Sequence, residues 1–211
     1  MSRVLVIAPH PDDEATGCGG TLRQHVLDGD SVHVVFLTSG EQGGHGRSPE
    51  ETLMLREEEG RASAQILGIA QVEFWREPDG ALRATSQLVH RLRGRMEDGE
   101  PDMLYVTHSR EMHPDHRAAA RTVRRALSGA KTLAFRPLVR MYEVWTPLQE
   151  MDDIVDISPN VETKVAAIRA HKSQVDVLRF DDACLGLNRY RGEMHSWPGG
   201  DYAEIFLRMN L

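Results

Sequence analysis

A chain of 211 residues, 40% hydrophobic and 27% charged, carries apolar material for one ordinary core and little length for a second. Its formal net charge of -7 and pI near 5.8 exclude the broad basic footprint of a nucleic-acid or anionic-lipid binder. Two cysteines, Cys18 and Cys184, with no CxxC pairing exclude a disulfide scaffold and a thiolate zinc site.

Val4 to Ala8 is a continuous apolar run of strand length, too short for a signal-peptide core and followed by no small-residue cleavage site. No stretch approaches the roughly 20 apolar residues of a bilayer span. The expectation is a cytoplasmic protein with no membrane partner. Thr16 to Leu27 reads as a helix ended by Asp28-Gly29-Asp30, and Val32 to Leu37 as the second strand. Thr38 to Arg47 holds too many glycines for a regular element. Ser48-Pro49-Glu50-Glu51 then opens a helix with an N-cap, a first-turn proline and a capping-box glutamate, and Gly68 ends it after Leu67.

Val72 to Trp75 is the third strand, and Ser86 to Glu97 the next helix. Leu104 to Val106 is the fourth strand, followed by a histidine-rich loop and a helix to about Leu127. Val139 to Trp145 and Ile154 to Ile157 read as strands. Ser158-Pro159 starts a helix ending near His171, Phe180 to Gly200 reads as irregular, and Tyr202 to Leu207 as an edge strand. The basic residues Arg117, Arg121, Arg124 and Arg125 fall on one helix and fit a solvated face.

Strands alternating with helices at this spacing predict an α/β fold. A mostly parallel twisted sheet lies between two helix layers, Rossmann-like, in one domain over 1–211. Such sheets bind ligands beyond the carboxyl ends of their strands. The polar clusters His10 to Glu14, Glu41 to His45, Asp79, and His108 to His116 follow strands one to four in turn. All four fall on that edge.

His10 and Asp13 share a turn at a strand end, so both side chains can face one point, and His116 on another strand's loop supplies a third ligand. Two histidines and one carboxylate leave a coordination position open, which suits catalytic zinc; iron(II) or nickel would also accept these donors. Asp12, next to Asp13 but pointing elsewhere, is the candidate general base. Glu14 would orient a ligand or cap the helix. His113, one turn from His116, would stabilise an oxyanion, with Asp115 holding its ring. Taken alone, an Asp-Asp pair at a helix start is an N-cap and a lone HxxH a solvated turn. Two such clusters on neighbouring strand ends outweigh both readings.

His-Pro-Asp-Asp-Glu at 10–14 with His-Pro-Asp-His at 113–116 resembles the LmbE/PIG-L family of zinc-dependent N-deacetylases. The likeness extends to Leu37-Thr38-Ser39-Gly40-Glu41, Arg56-Glu57-Glu58-Glu59, Pro78-Asp79-Gly80, Tyr142-Glu143, His171-Lys172-Ser173-Gln174 and Tyr202-Ala203-Glu204. The resemblance implies His10, Asp13 and His116 as zinc ligands, Asp12 as base, and His113 as the acid or oxyanion partner with Asp115 behind it. It implies Arg56 and Asp79 as holders of sugar hydroxyls, with Glu41 and His171 on the site wall. Some members carry a tyrosine where this chain has Glu111; Arg140 or a backbone amide would then supply the missing donor.

The expected activity is removal of an N-acetyl group from a small amino sugar or its conjugate, with a homo-oligomer left open. The rival readings are a phosphoesterase, which often needs two metals, and a metal-binding module without catalysis. Gly17, Gly19 and Gly20 fit close helix–sheet packing, not a dinucleotide loop. His45 reads as an exposed loop residue, Trp75 and Trp145 as packing, and Trp197 as the tryptophan to inspect for a sugar platform.

Overall fold

The computed structural model describes residues 1–128, 135–195 and 200–210. Five strands lie parallel: β1 (Arg3–Ala8), β2 (Ser31–Phe36), β3 (Gln71–Phe74), β4 (Met103–Thr107) and β5 (Leu138–Tyr142). Two more, β6 (Asp153–Asp156) and β7 (Ala203–Arg208), extend the sheet antiparallel, giving the order β3-β2-β1-β4-β5-β7-β6. Alternate residues of β1 feed opposite cores, because successive strand side chains point to opposite faces. Leu5 and Ile7 pack under α3 (Ser86–Gly99) and α4 (Pro114–Ser128), with Leu88, Leu92 and Val123. Val4, Val6 and Ala8 pack under α1 (Asp13–Leu27), α2 (Pro49–Leu67), α5 (Val161–Arg169) and, after the short α6 (Lys172–Val175), α7 (Phe180–His195), with Leu22, Leu67, Ile168 and Cys184. This is the three-layer α/β arrangement the alternation predicts.

The Ser48 capping box is present, and α2 stops at Gly68 in the left-handed region. Four features depart most from the sequence reading. Helix α1 starts at Asp13, three residues early, with Asp13 and Glu14 in its first turn, where acidic charge suits the helix dipole. β5 ends at Tyr142 rather than Trp145. Phe180 to His195, read as irregular, is α7: its Gly186 and Gly192 blur the apolar period, and packing on the second core overrides that weak signal. β7, read as an edge strand, lies between β5 and β6, and β6 is the edge. That explains why β7 buries every residue from Ala203 to Phe206.

Helix α1 is not one helix. Cys18 sits at φ -144°, ψ 16°, a break that frees the backbone amides of the following turn. Glu204 on β7 takes them: its carboxylate accepts from Gly20 N at 3.0 Å, Thr21 N at 2.8 Å and Thr21 Oγ1 at 2.6 Å. Lys164 Nζ donates to Glu204 at 2.6 Å and to the carbonyl of Thr16, before the break, at 2.7 Å. Burial works against the lysine's charge, yet Cys184 and Glu204 beside it raise its pKa to about 12. Gly17 permits the close approach: a Cβ there would stand 2.1 Å from the Tyr142 ring.

Removing one partner of a buried, hydrogen-bonded pair costs about 3–5 kcal/mol. Glu204→Ala is expected to lose that much in denaturant unfolding, and the Lys164→Met/Glu204→Leu pair to recover part of it. A loss under about 1 kcal/mol would show that the pair does not hold the break.

Candidate metal centre and active site

Pairings Ala8↔Phe36, Phe36↔Phe74 and Ile7↔Val106 set the strand ends level, so the loops after β1 to β4 converge. His10, Asp13 and His116 meet there, all buried. Asp13 Oδ2 lies 3.2 Å from His10 Nδ1 and 3.3 Å from His116 Nε2, and the His10 amide donates to the same oxygen at 2.9 Å. Ligands about 2.0–2.1 Å from a tetrahedral ion stand about 3.3–3.4 Å apart, so these two edges suit a zinc-sized ion. His113 joins them, its ring centroid 4.9 Å from those of His10 and His116. Among the described residues, two trios have donor atoms mutually within 4.8 Å: His10–His113–His116 and His10–Asp79–Asp115. His10 belongs to both, because Asp79 and Asp115 lie 3.0 and 3.5 Å from its Nε2. The trio His10–Asp13–His116 is not one of these two groups, although it shares His10 and His116 with the first and has two short edges at Asp13.

His116 supports this fit. Among the described residues neither of its buried ring nitrogens has a hydrogen-bond partner, a state that costs free energy unless something binds them. The electrostatics point the same way. Burial alone would strip a proton from His10, but Asp115, Asp13 and Asp79 around it raise its pKa well above the imidazole norm. Burial pushes Asp13 up, and His116 and His10 more than reverse it, holding it far below the carboxylate range. Asp79 follows the same pattern, with His10 bringing it to about 2. Burial, then His10 and His116, lower His113. This cage demands a cation, a proton or a metal ion.

Asp12 differs from its neighbours. Burial raises it to about 6 against the pull of Arg56. Its backbone sits at φ 126°, a region L-residues rarely adopt, and its side chain makes no capping bond to α1. The N-cap reading of the Asp-Asp pair therefore fails. Instead Arg56 Nη2 holds Asp12 Oδ2 at 2.8 Å and Pro11 O at 2.7 Å, while Nη1 donates to Gly40 O at 3.0 Å. Gly40 is required here: at φ +67°, its Cβ would strike Arg56 Nη1 at 2.1 Å. Arg56 is thus engaged with the Asp12 turn as well as lying at the site.

Glu14 Oε2 accepts from the Asp12 amide at 3.2 Å, and Oε1 from Ser63 Oγ at 3.2 Å. His171, also buried with both nitrogens unpartnered, stands behind it, 3.9 Å from Glu14 Oε1. Glu41 Oε1 accepts from the Asp79 amide at 2.9 Å, so it props the Asp79 loop.

Two assignments change, those of Asp115 and Arg140. The Asp115 carboxylate does not hold the His113 ring: it accepts from Gly80 N at 2.7 Å and Leu82 N at 3.1 Å, and the Asp115 amide faces His113 Nδ1 at 3.3 Å. Arg140 is not at the cluster; its guanidinium is spent on Asp153 at 3.2 Å and the Tyr105 hydroxyl at 3.0 Å, over the Phe206 ring. Glu111 offers no donor but accepts from Val144 N at 2.7 Å and Thr146 N at 3.1 Å, with Oε2 3.8 Å from His116 Nδ1. Sequence reasoning missed this backing for His116; an acidic residue inside the His108–His116 cluster was the available signal. Trp197 lies outside the described residues.

A residue held in so sparse a backbone region costs about 1–3 kcal/mol. Asp12→Gly is therefore expected to unfold at higher denaturant than Asp12→Ala, by roughly 1 kcal/mol, both variants having lost the Arg56 contact. Equal stabilities would mean that the turn carries no strain.

The family described as PIG-L: GlcNAc-PI de-N-acetylase matches residues 5–127. The diacetylchitobiose deacetylase of Thermococcus kodakarensis is 30% identical over 192 residues, covering 82% of this chain and 70% of that protein. The 4-oxalmesaconate hydratase of Pseudomonas putida is 28% identical over 190 residues, covering 81% and 73%. The solved N,N'-diacetylchitobiose deacetylase of Pyrococcus horikoshii superposes with a TM-score of 0.87 at 26% identity, covering 99% of this chain and 84% of that one. With more than half its length matched by the family and its sheet shared with solved deacetylases, this chain belongs to the PIG-L (LmbE-like) family.

Proposed function

We propose that this protein is a metal-dependent N-deacetylase of a small N-acetylated amino sugar, with His10, Asp13 and His116 as the metal ligands. The observation that carries the reading is buried His116, both nitrogens unpartnered, facing Asp13 at 3.3 Å one residue from strained Asp12. The family membership and the deacetylase names of the relatives support it. Zinc suits the donors best, and iron(II) or nickel would be accepted. An ion in this cage would supply Lewis acidity, which lowers the pKa of a coordinated water to about 7 and polarises an amide carbonyl.

The chain's own groups then divide the proton work. Asp12 Oδ1, with Oδ2 held by Arg56, takes the proton of the attacking water and passes it to the departing amine nitrogen. His113 faces the developing oxyanion, oriented by the Asp115 amide. Asp79 and Arg56 meet sugar hydroxyls; Glu41 holds the Asp79 loop in place. His171 backs Glu14 behind the base.

A second reading, water addition, is favoured by the hydratase relative. Amine release from N-acetylglucosamine and its glycosides, against loss of unsaturation in an enoate panel, separates the two. Asp12→Ala is expected to retain bound metal but lose at least a hundredfold in amine release, within the range typical of a lost general base. Near wild-type release would remove Asp12 from that role.

Metal content gives a further check. One equivalent of zinc per chain is expected, His116→Ala should lose it, and chelation should abolish turnover. Two equivalents would favour a bridged phosphoesterase site instead.

A further inference from the structure

Beside the His10–Asp13–His116 cluster lies a cavity of ≈ 350 Å³ whose lining includes Asp12 and Asp13 but neither Arg56 nor Asp79. Its walls are Val144, Trp145 and Pro147 from the segment after β5, and Leu178, Phe180 and Leu187 from α7 and its approach. Trp145 and Leu178 remain 50% and 52% exposed, and Val177 beside Leu178 is 50% exposed. Bulky apolar groups left in solvent around a concave opening mark a surface that something apolar covers.

Asp12, Asp13, Thr16 and His45 give the cavity one polar end, while the polar side chains along the rest of its lining are already occupied. Glu143 is held by Arg191 at 2.8 Å, Glu204 by Lys164 at 2.6 Å, and Asn188 donates to Ala203 O at 2.9 Å. Gln174 donates to Gly43 O at 3.0 Å. A polyol or polyacid placed there would lose its hydration and find few free partners, which costs free energy. An alkyl or aryl group would pay no such penalty.

Size gives the second constraint. A methyl group is close to a water molecule in volume, about 30 Å³, so the cavity holds roughly ten such groups. The single methyl of an acetamide would leave most of it empty. We propose that the cavity binds an apolar substituent of the amide substrate, larger than acetyl's methyl, carried on either its acyl or its glycoside side. This deepens the hydrolase reading above and rests on it for turnover, though not for binding.

Calorimetric binding to the zinc-loaded protein tests it with two series: N-acetyl, N-butanoyl and N-hexanoyl glucosamine, and methyl, butyl and hexyl N-acetylglucosaminide. Burial of each methylene should tighten binding about fourfold in one series, and the responding series identifies the side. Ala183→Trp, on the cavity wall, should flatten that slope. Affinities constant within twofold along both series would overturn the proposal, whatever the turnover. A steep slope without amine release from any member would keep the cavity assignment and defeat the hydrolase reading instead.

Discussion

The buried pair Lys164–Glu204 is the constraint on which the site's geometry depends. A helix that begins at Asp13 and runs unbroken to Leu27 would have one axis for both its metal-facing and its core-facing ends. The break at Cys18 gives it two, and Glu204 satisfies the amides that the break exposes. Lys164 bonds the carbonyl before the break and the carboxylate after it, so one ammonium ties both halves to β7. The residues that would hold a metal ion sit at the start of the first half. Their position is thus fixed by a side chain on the far part of the chain.

The second organising feature is a local excess of negative charge. Asp12, Asp13, Asp79 and Asp115 gather around the imidazoles, and among the described residues Arg56 is the arginine or lysine paired with them. In low dielectric that excess must be neutralised. The carboxylates around His10 favour its charged form against the cost of burial; a divalent ion, if bound, would be held by the same carboxylates with the histidines as neutral donors. Asp12 departs from this pattern because its burial raises it more than the Arg56 guanidinium at 2.8 Å lowers it.

Much of this was legible in residue order. The strand–helix alternation gave the sheet and its carboxyl edge, and the spacing within His10–Asp13 and His113–His116 gave the clustered residues. What stayed hidden was long-range. Glu204 in Ala203-Glu204-Ile205-Phe206 is a charge inside an apolar strand, and Lys164 precedes the apolar run Val165-Ala166-Ala167-Ile168; each is a sign of a buried partner, but neither names the other. Arg140 looked free because Asp153 and Tyr105 approach it only through folding. The α7 helix was missed because its apolar contacts come from α5 and β7 rather than from its own period.

Asp115 joins two parts of the molecule that the sequence keeps far apart. Its carboxylate takes two amides of the loop that carries Asp79, while the next residue along α4 is His116. The loop between β3 and α3 is therefore not an independent flap. Any displacement of α4 at its first turn pulls on Gly80 and Leu82, and any opening of that loop must break charge-assisted bonds to a fully buried carboxylate. The Asp79 loop and the His113–His116 turn thus share one mechanical unit, so the geometry of the cluster is set by the fold itself rather than assembled around a ligand.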